Sequence, residues 1–153
     1  MKRINTYFFI VTVIFSVIFF SCKKYPEGPS VSFSSKKERI CNSWQIEKYK
    51  FNGADSTLAA KENLFKDYQL TLYKDGDYSF SYSYIRRSFS ISVTENGHWA
   101  FSDDKKNVIF TKENGSTYLA EGESYTWQIL RLTKKEFWAK YTQDDNDIEV
   151  YLN

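Results

Sequence analysis

The residues whose types could carry chemistry are few: His98, Cys41, the acidic run Asp144-Asp145-Asn146-Asp147, the pair Arg86-Arg87 and an unusual number of aromatics. One histidine removes every motif that needs two. Two cysteines fall short of a four-cysteine zinc site or a multi-bridge disulfide scaffold. No Gly-x-Ser-x-Gly nucleophile elbow exists, so His98, beside Trp99, reads as a structural residue and no enzymatic activity is expected. The acidic run has the composition of a metal site. It lacks the calcium-loop spacing with its glycine and distal glutamate, and reads as a solvated hairpin turn. Arg86-Arg87 fall at a hairpin tip and read as a solubilising loop, with an anionic ligand or lipid headgroup as the functional alternative. Cys41, ahead of Trp44 in a short helix, reads as a small buried hydrophobe. No metal and no cofactor is implied.

The aromatics are more informative. The cleanest alternation in the chain places Tyr78, Phe80, Tyr82 and Tyr84 on one face and Ser79, Ser81 and Ser83 on the other. Trp44, Tyr68, Phe89 and Trp99, then Phe101, Trp127, Phe137 and Tyr141, complete the expected inward-facing set. Such an interior suits either a filled core or one small ligand. Tyr82, Tyr84, Phe89, Trp99 and Trp127 are the candidate ligand-binding residues, with Tyr82, Tyr84 and Phe89 near an open end.

The elements that must position these side chains begin after an address. Lys2 and Arg3 precede an apolar run from Tyr7 to Phe20, shorter than the ~20 residues a membrane-spanning helix needs. The run ends at Phe19-Phe20-Ser21-Cys22, which resembles the lipobox of bacterial lipoproteins. That resemblance implies a signal peptide over 1–21 and a lipidated, palmitate-bearing Cys22 as the mature N-terminus. Cys41 is then the one remaining thiol, and a disulfide within the monomer is impossible. Lys23 and Lys24, in place of an aspartate, imply an outer-membrane destination in a Gram-negative envelope, facing periplasm or exterior. Residues 22–37 hold both prolines and form an extended tether. The folded domain is 38–153. The chain has 21 basic against 19 acidic residues; removing Lys2 and Arg3 with the signal leaves 19 against 19. A neutral domain has no concentrated basic face, and no nucleic acid is expected as a partner.

Ser35 and Glu38 make a capping-box pattern for a short helix through Lys36 to Cys41. From Trp44 onward the period is two. Trp44–Phe51 is the first strand, ended by Asn52-Gly53, and Leu58–Lys66 is a short helix with Leu58, Leu64 and Phe65 as its apolar contacts. Lys74-Asp75-Gly76-Asp77 is a tight hairpin turn, Asn96-Gly97 a break or bulge, and Glu113-Asn114-Gly115-Ser116 a hairpin signal that doubles as a glycosylation sequon. Gln143 to Asp147 make the last turn. Eight or nine hairpin-linked strands force antiparallel pairing. The expected fold is all-β, an antiparallel up-and-down barrel of about eight strands, with a two-sheet sandwich as the structural alternative.

Four segments in order resemble the lipocalin-like domains of bacterial lipoproteins, over roughly Ile40 to Leu152. They are Ile40-Cys41-Asn42-Ser43-Trp44; Leu70 to Tyr78; Gly97-His98-Trp99-Ala100-Phe101; and Ile129 to Phe137, with its I-x-x-L-T-x-x-E pattern. The resemblance implies a calycin-type barrel on a lipid anchor. The expected function is a membrane-anchored lipoprotein that binds a small apolar or amphipathic ligand without catalysis. The alternative is a filled barrel that acts as an accessory lipoprotein through an envelope protein partner.

Overall fold

The computed structural model describes residues 25–27, 34–115 and 120–153. The signal segment 1–21, Cys22, most of the tether and Ser116 of the sequon lie outside the described residues. The domain opens with helix α1 (Lys36–Ile40), closed at its start by the capping box read from the sequence. The Glu38 amide donates to Ser35 Oγ at 3.1 Å, and the Ser35 amide donates to Glu38 Oε2 at 2.8 Å. Both satisfy orphan donors of the first turn.

Ten strands follow in a single antiparallel sheet, a little more than the expected eight: β1 (Ser43–Trp44), β2 (Ile46–Phe51), β3 (Ala54–Asp55), β4 (Lys66–Leu72), β5 (Asp77–Arg86), β6 (Phe89–Phe101), β7 (Asn107–Gly115), β8 (Ser124–Leu132), β9 (Phe137–Gln143) and β10 (Asn146–Leu152). The spatial order is β1-β4-β5-β6-β7-β8-β9-β10-β2-β3. From β4 to β10 every neighbour is the next strand in sequence, the up-and-down order of the expected lipocalin-like barrel.

Closure comes from the first strand. β1 and β2 are one stretch of chain interrupted at Gln45, and they pair with opposite edges of the sheet. β1 meets β4 through Trp44 and Leu70, and β2 meets β10 through Tyr49 and Val150. Gln45 itself exchanges backbone hydrogen bonds with Asn153, its amide donating at 3.0 Å and its carbonyl accepting at 3.1 Å. One strand thus serves both edges and removes them as templates for aggregation.

The turns follow their chemistry. Asn52 and Gly53 (φ 49° and 81°) join β2 to β3, and Asp144 and Asp145 (φ 48° and 61°) join β9 to β10, so the acidic run is a hairpin turn. Arg87 and Ser88 form the tip between β5 and β6. The four motif segments fall at the start of β1, on the β4–β5 hairpin, in β6 and on the β8–β9 hairpin.

Two expectations need correction. The segment after β3 is helix α2 (Thr57–Ala59) running into a π-helical turn (Ala60–Leu64), in which Ala60 is buried while Leu58 and Leu64 are 70% and 48% exposed. The wider turn, closed by the Phe65 amide donating to the Ala60 carbonyl at 2.7 Å, changes which face meets the barrel. The second correction concerns Asn114-Gly115, which continues β7 rather than turning it. Gly115 pairs with Glu95, and a Cβ there would stand 2.2 Å from the Thr94 carbonyl oxygen. Its glycine serves close backbone approach rather than a hairpin.

Candidate functional site

The barrel interior divides along its axis. At the α1 end it is packed solid: Trp44, Phe137, Leu132 and Leu152 are at most 0% exposed. Trp44 Nε1 donates to the Ile40 carbonyl at 2.9 Å, and its ring meets Phe137 at 5.8 Å. At the other end, where β8 begins and β9 finishes, a cavity of about 460 Å³ opens between two aromatic walls. The expected choice between a filled core and a hollow one resolves into one of each.

The inward face of β5 supplies the first wall, because alternation turns Phe80 and Tyr82 inward together. Phe80 and Tyr82 are 5.2 Å apart, Phe65 from the end of the π-helical turn meets Tyr82 at 5.1 Å, and Tyr68 of β4 meets Phe80 at 5.1 Å. The second wall comes from β8 and β9. Trp127 and Tyr141 stack at 5.0 Å with an interplanar angle of 7°, and Tyr125 stacks on Phe110 at 5.1 Å. Ring pairs of this kind hold both walls in fixed rotamers.

The cavity has a polar floor. Glu95 on β6, 1% exposed, lines it. Its Oε1 accepts from the Tyr78 hydroxyl at 2.6 Å and from the Tyr125 hydroxyl at 2.8 Å. Burial, aided by the neighbouring carboxylate, raises the pKa of both hydroxyls well above the ordinary tyrosine range, so they stay protonated as donors. A second polar group is Tyr68 Oη, buried in the cavity wall with no hydrogen-bond partner among the described residues. Burial raises its pKa strongly too, with Tyr82 adding to the shift. Glu95 and Lys112 are the charged residues buried among the described residues, and both escape a reading based on aromatics. Their parity with Val93 and Trp99, and with Val108 and Phe110, is the signal that places them inward.

The structure brings together Tyr82 and Trp127 of the five expected ligand-binding residues, on opposite cavity walls. Tyr84 lies one step outward, in a shallower recess shared with Phe51, Leu64 and Ile85. Phe89 and Trp99 stand elsewhere. Among the described residues β4 pairs with β5 as far as Ser83 and β7 pairs with β6 from Glu95, while the β5–β6 ribbon runs on to its tip at Arg87 and Ser88. Phe89 on that ribbon is 74% exposed, not inward. Trp99 belongs to the filled end, its Nε1 donating to the Tyr73 carbonyl at 3.0 Å. Cys22 is outside the described residues.

The remaining candidates have structural surroundings. His98 lies on the outer face, its Nδ1 2.7 Å from Asp77 and its Nε2 3.0 Å from Glu113, ties that raise its pKa above the usual histidine value. Cys41 is half-buried against the core, and burial pushes its thiol up, away from thiolate reactivity.

The NlpE N-terminal domain family matches residues 67–148, a little over half of the chain. No curated protein matches. Among solved structures, a lipocalin-like protein from Bacteroides uniformis aligns at 11% identity and a TM-score of 0.49, covering 74% of this chain and 96% of that one. Bovine odorant binding protein, solved in complex with a selenium-containing odorant, aligns at 12% identity and a TM-score of 0.46, covering 80% of this chain and 73% of that one.

Proposed function

We propose a binding role for this chain, which belongs to the NlpE N-terminal domain family: a lipid-anchored envelope protein whose barrel holds one small apolar or amphipathic ligand and performs no catalysis. The observation that carries the reading is the cavity. Its volume of about 460 Å³ falls within the roughly 300–1,000 Å³ of small-molecule sites, and it is lined by aromatic faces with a few placed polar groups. A barrel built to be filled would close that space with the large side chains already on its walls. The buried, unpartnered Tyr68 hydroxyl supports the same reading, since a ligand group that bonds it would remove a desolvation penalty.

The anchor is the sequence's contribution. Acylation of Cys22, with cleavage of 1–21, would hold the barrel at the membrane through its acyl chains. Lys23 and Lys24 favour the outer membrane of a Gram-negative cell.

Native mass spectrometry of the protein purified from its own envelope tests both parts. The expected spectrum shows a polypeptide beginning at Cys22 with acyl mass added, carrying one small molecule per chain. An unmodified N-terminus would remove the anchor. A barrel that carries no small molecule but a stoichiometric protein would replace ligand binding with the accessory role, a reading that the exposed Phe89 and Ile85 on the protruding ribbon favour.

A further inference from the structure

We infer that the barrel docks on an anionic lipid surface by its filled end and turns the cavity mouth to the aqueous side. This inference rests on the lipid-anchor reading above, acylation of Cys22, and not on what the cavity holds. Its basis is a clasp that the N-terminal segment makes with the domain ahead of α1. Tyr25 is 3% exposed and belongs to the core. Its hydroxyl donates to the Lys105 carbonyl at 3.1 Å, and Lys36 Nζ stands 4.3 Å from the centre of its ring, a cation on an aromatic face. Two residues on, the Glu27 amide donates to the Leu130 carbonyl at 3.0 Å, and Arg131 donates to the Glu27 carbonyl at 2.7 Å. Residues 25–27 are thus held on β8 and on the β6–β7 turn. Both lie at the α1 end, where Lys36 Nζ donates to the Lys105 carbonyl at 2.7 Å and Arg39 to the Leu132 carbonyl at 2.8 Å.

The clasp makes a short leash. Cys22 precedes Tyr25 by three residues, and three residues of extended chain reach at most about 11 Å. An acylated Cys22 therefore keeps the filled end at the bilayer. The ribbon tip is remote, because the 13 residues of β6 put roughly 40 Å of strand between it and the β6–β7 turn. Charge points the same way. On α1, Lys36, Lys37 and Arg39 outnumber Glu38, and in the β8–β9 turn Lys134 and Lys135 are exposed while Glu136 is paired with Arg131 at 2.8 Å. The β4–β5 and β6–β7 turns carry equal numbers of Lys and Asp, and Lys23 and Lys24 follow the anchored cysteine in sequence. At the opposite end the turns carry Glu121, Glu123, Asp144 and Asp145 against Arg86 and Arg87. A domain neutral in total is therefore divided along its axis. Anionic headgroups draw the basic end and repel the acidic one. A ligand then enters the cavity from the aqueous phase rather than from the bilayer.

Fluorescence quenching on the full acylated chain tests the orientation, in vesicles of phosphatidylethanolamine and phosphatidylglycerol whose headgroups carry a nitroxide quencher. In a Cys41→Ala background, a thiol-reactive fluorophore is attached through Lys135→Cys at the filled end or Ser88→Cys at the ribbon tip, both exposed turn positions. The probe at position 135 should lose most of its emission and the probe at position 88 little. A Gly/Ser insertion between Lys24 and Tyr25 lengthens the leash and leaves the clasp intact. In that variant raised salt should abolish the quenching at position 135, because charge alone then holds the end down and salt screens it, whereas the short leash should resist salt. Quenching at position 88 equal to or above that at position 135 would overturn the orientation. Quenching at position 135 that survives both the insertion and salt would overturn the leash. No quenching at either position would give the filled end to a protein partner or a second copy and overturn the lipid contact. Mass spectrometry of the same preparation separates the two readings. A chain without acyl mass at Cys22 would overturn the anchor and this inference with it, and an acylated chain with reversed quenching would overturn this inference alone.

Discussion

Tyr68 and Tyr125 present the same hydroxyl in different company, and the company sets the sign of its removal. Tyr125 donates to the buried Glu95 carboxylate, whereas Tyr68 Oη is buried with no partner. Tyr125→Phe should destabilise the domain by about 1–3 kcal/mol, since it takes a hydrogen-bond partner from the buried Glu95 side chain. Tyr68→Phe should leave stability unchanged or raise it by about 1 kcal/mol, because it removes an unsatisfied polar group without changing ring packing. Urea denaturation of the two variants, with ligand absent, checks the contrast, and equal losses would mean that Tyr68 has a partner in solution. Neither role was legible from residue type. Tyr68 and Tyr78 read as inward aromatics and Tyr125 shares the parity of Trp127, and inward parity says nothing about where a hydroxyl finds its acceptor. Glu95 was hidden for the opposite reason: a charged residue on a strand reads as solvated, although its parity with Val93 and Trp99 marks it as inward.

At the scale of elements, glycines show how far local signals reach. Asn96-Gly97 was legible as an irregularity, and a register shift does occur there, but only toward β7; pairing with β5 runs through it unbroken. The reason is crowding against one neighbour. A Cβ on Gly97 would stand 2.0 Å from the Thr111 carbonyl oxygen, a contact with backbone that no rotamer change relieves. Gly97→Ala should therefore cost about 2–3 kcal/mol by overpacking. Gly53 is the control: it has a φ of 81° with nothing within 4 Å, so Gly53→Ala should cost only about 1 kcal/mol of backbone strain. Denaturation midpoints that rank the two the other way would refute the crowding argument. Strand order and most hairpins were readable because period two and turn residues are local properties. The π-helical turn and the true course of Asn114-Gly115 were not, because each depends on which distant strand lies against it.

For the whole molecule, the barrel buries the hydroxyls of several tyrosines, and this gives it a pH limit. The cavity's existence could not be read from composition, since volume is the difference between a barrel's radius and the side chains that fill it. Its consequence for titration can be derived. Burial raises the pKa of Tyr68, Tyr78 and Tyr125 far above the ordinary value near 10, and pushes Tyr25 up to about 12. Each of these groups is harder to ionise folded than unfolded. Its contribution to stability is fully present below about pH 10, the unfolded value, and is lost as pH rises toward the folded one. His98 acts in the same sense at lower pH. Its raised pKa makes a contribution present below about pH 6.5 that fades as pH rises through the folded value. Between these windows stability should change little, and above about pH 10 it should fall steeply. Absorbance at 295 nm, followed with circular dichroism during an alkaline titration, should show the buried tyrosines ionising together, above about pH 10, as the barrel unfolds. If Tyr78 and Tyr125 ionised near pH 10 while the barrel stayed folded, water would reach the cavity floor, and burial would not be what keeps those hydroxyls protonated.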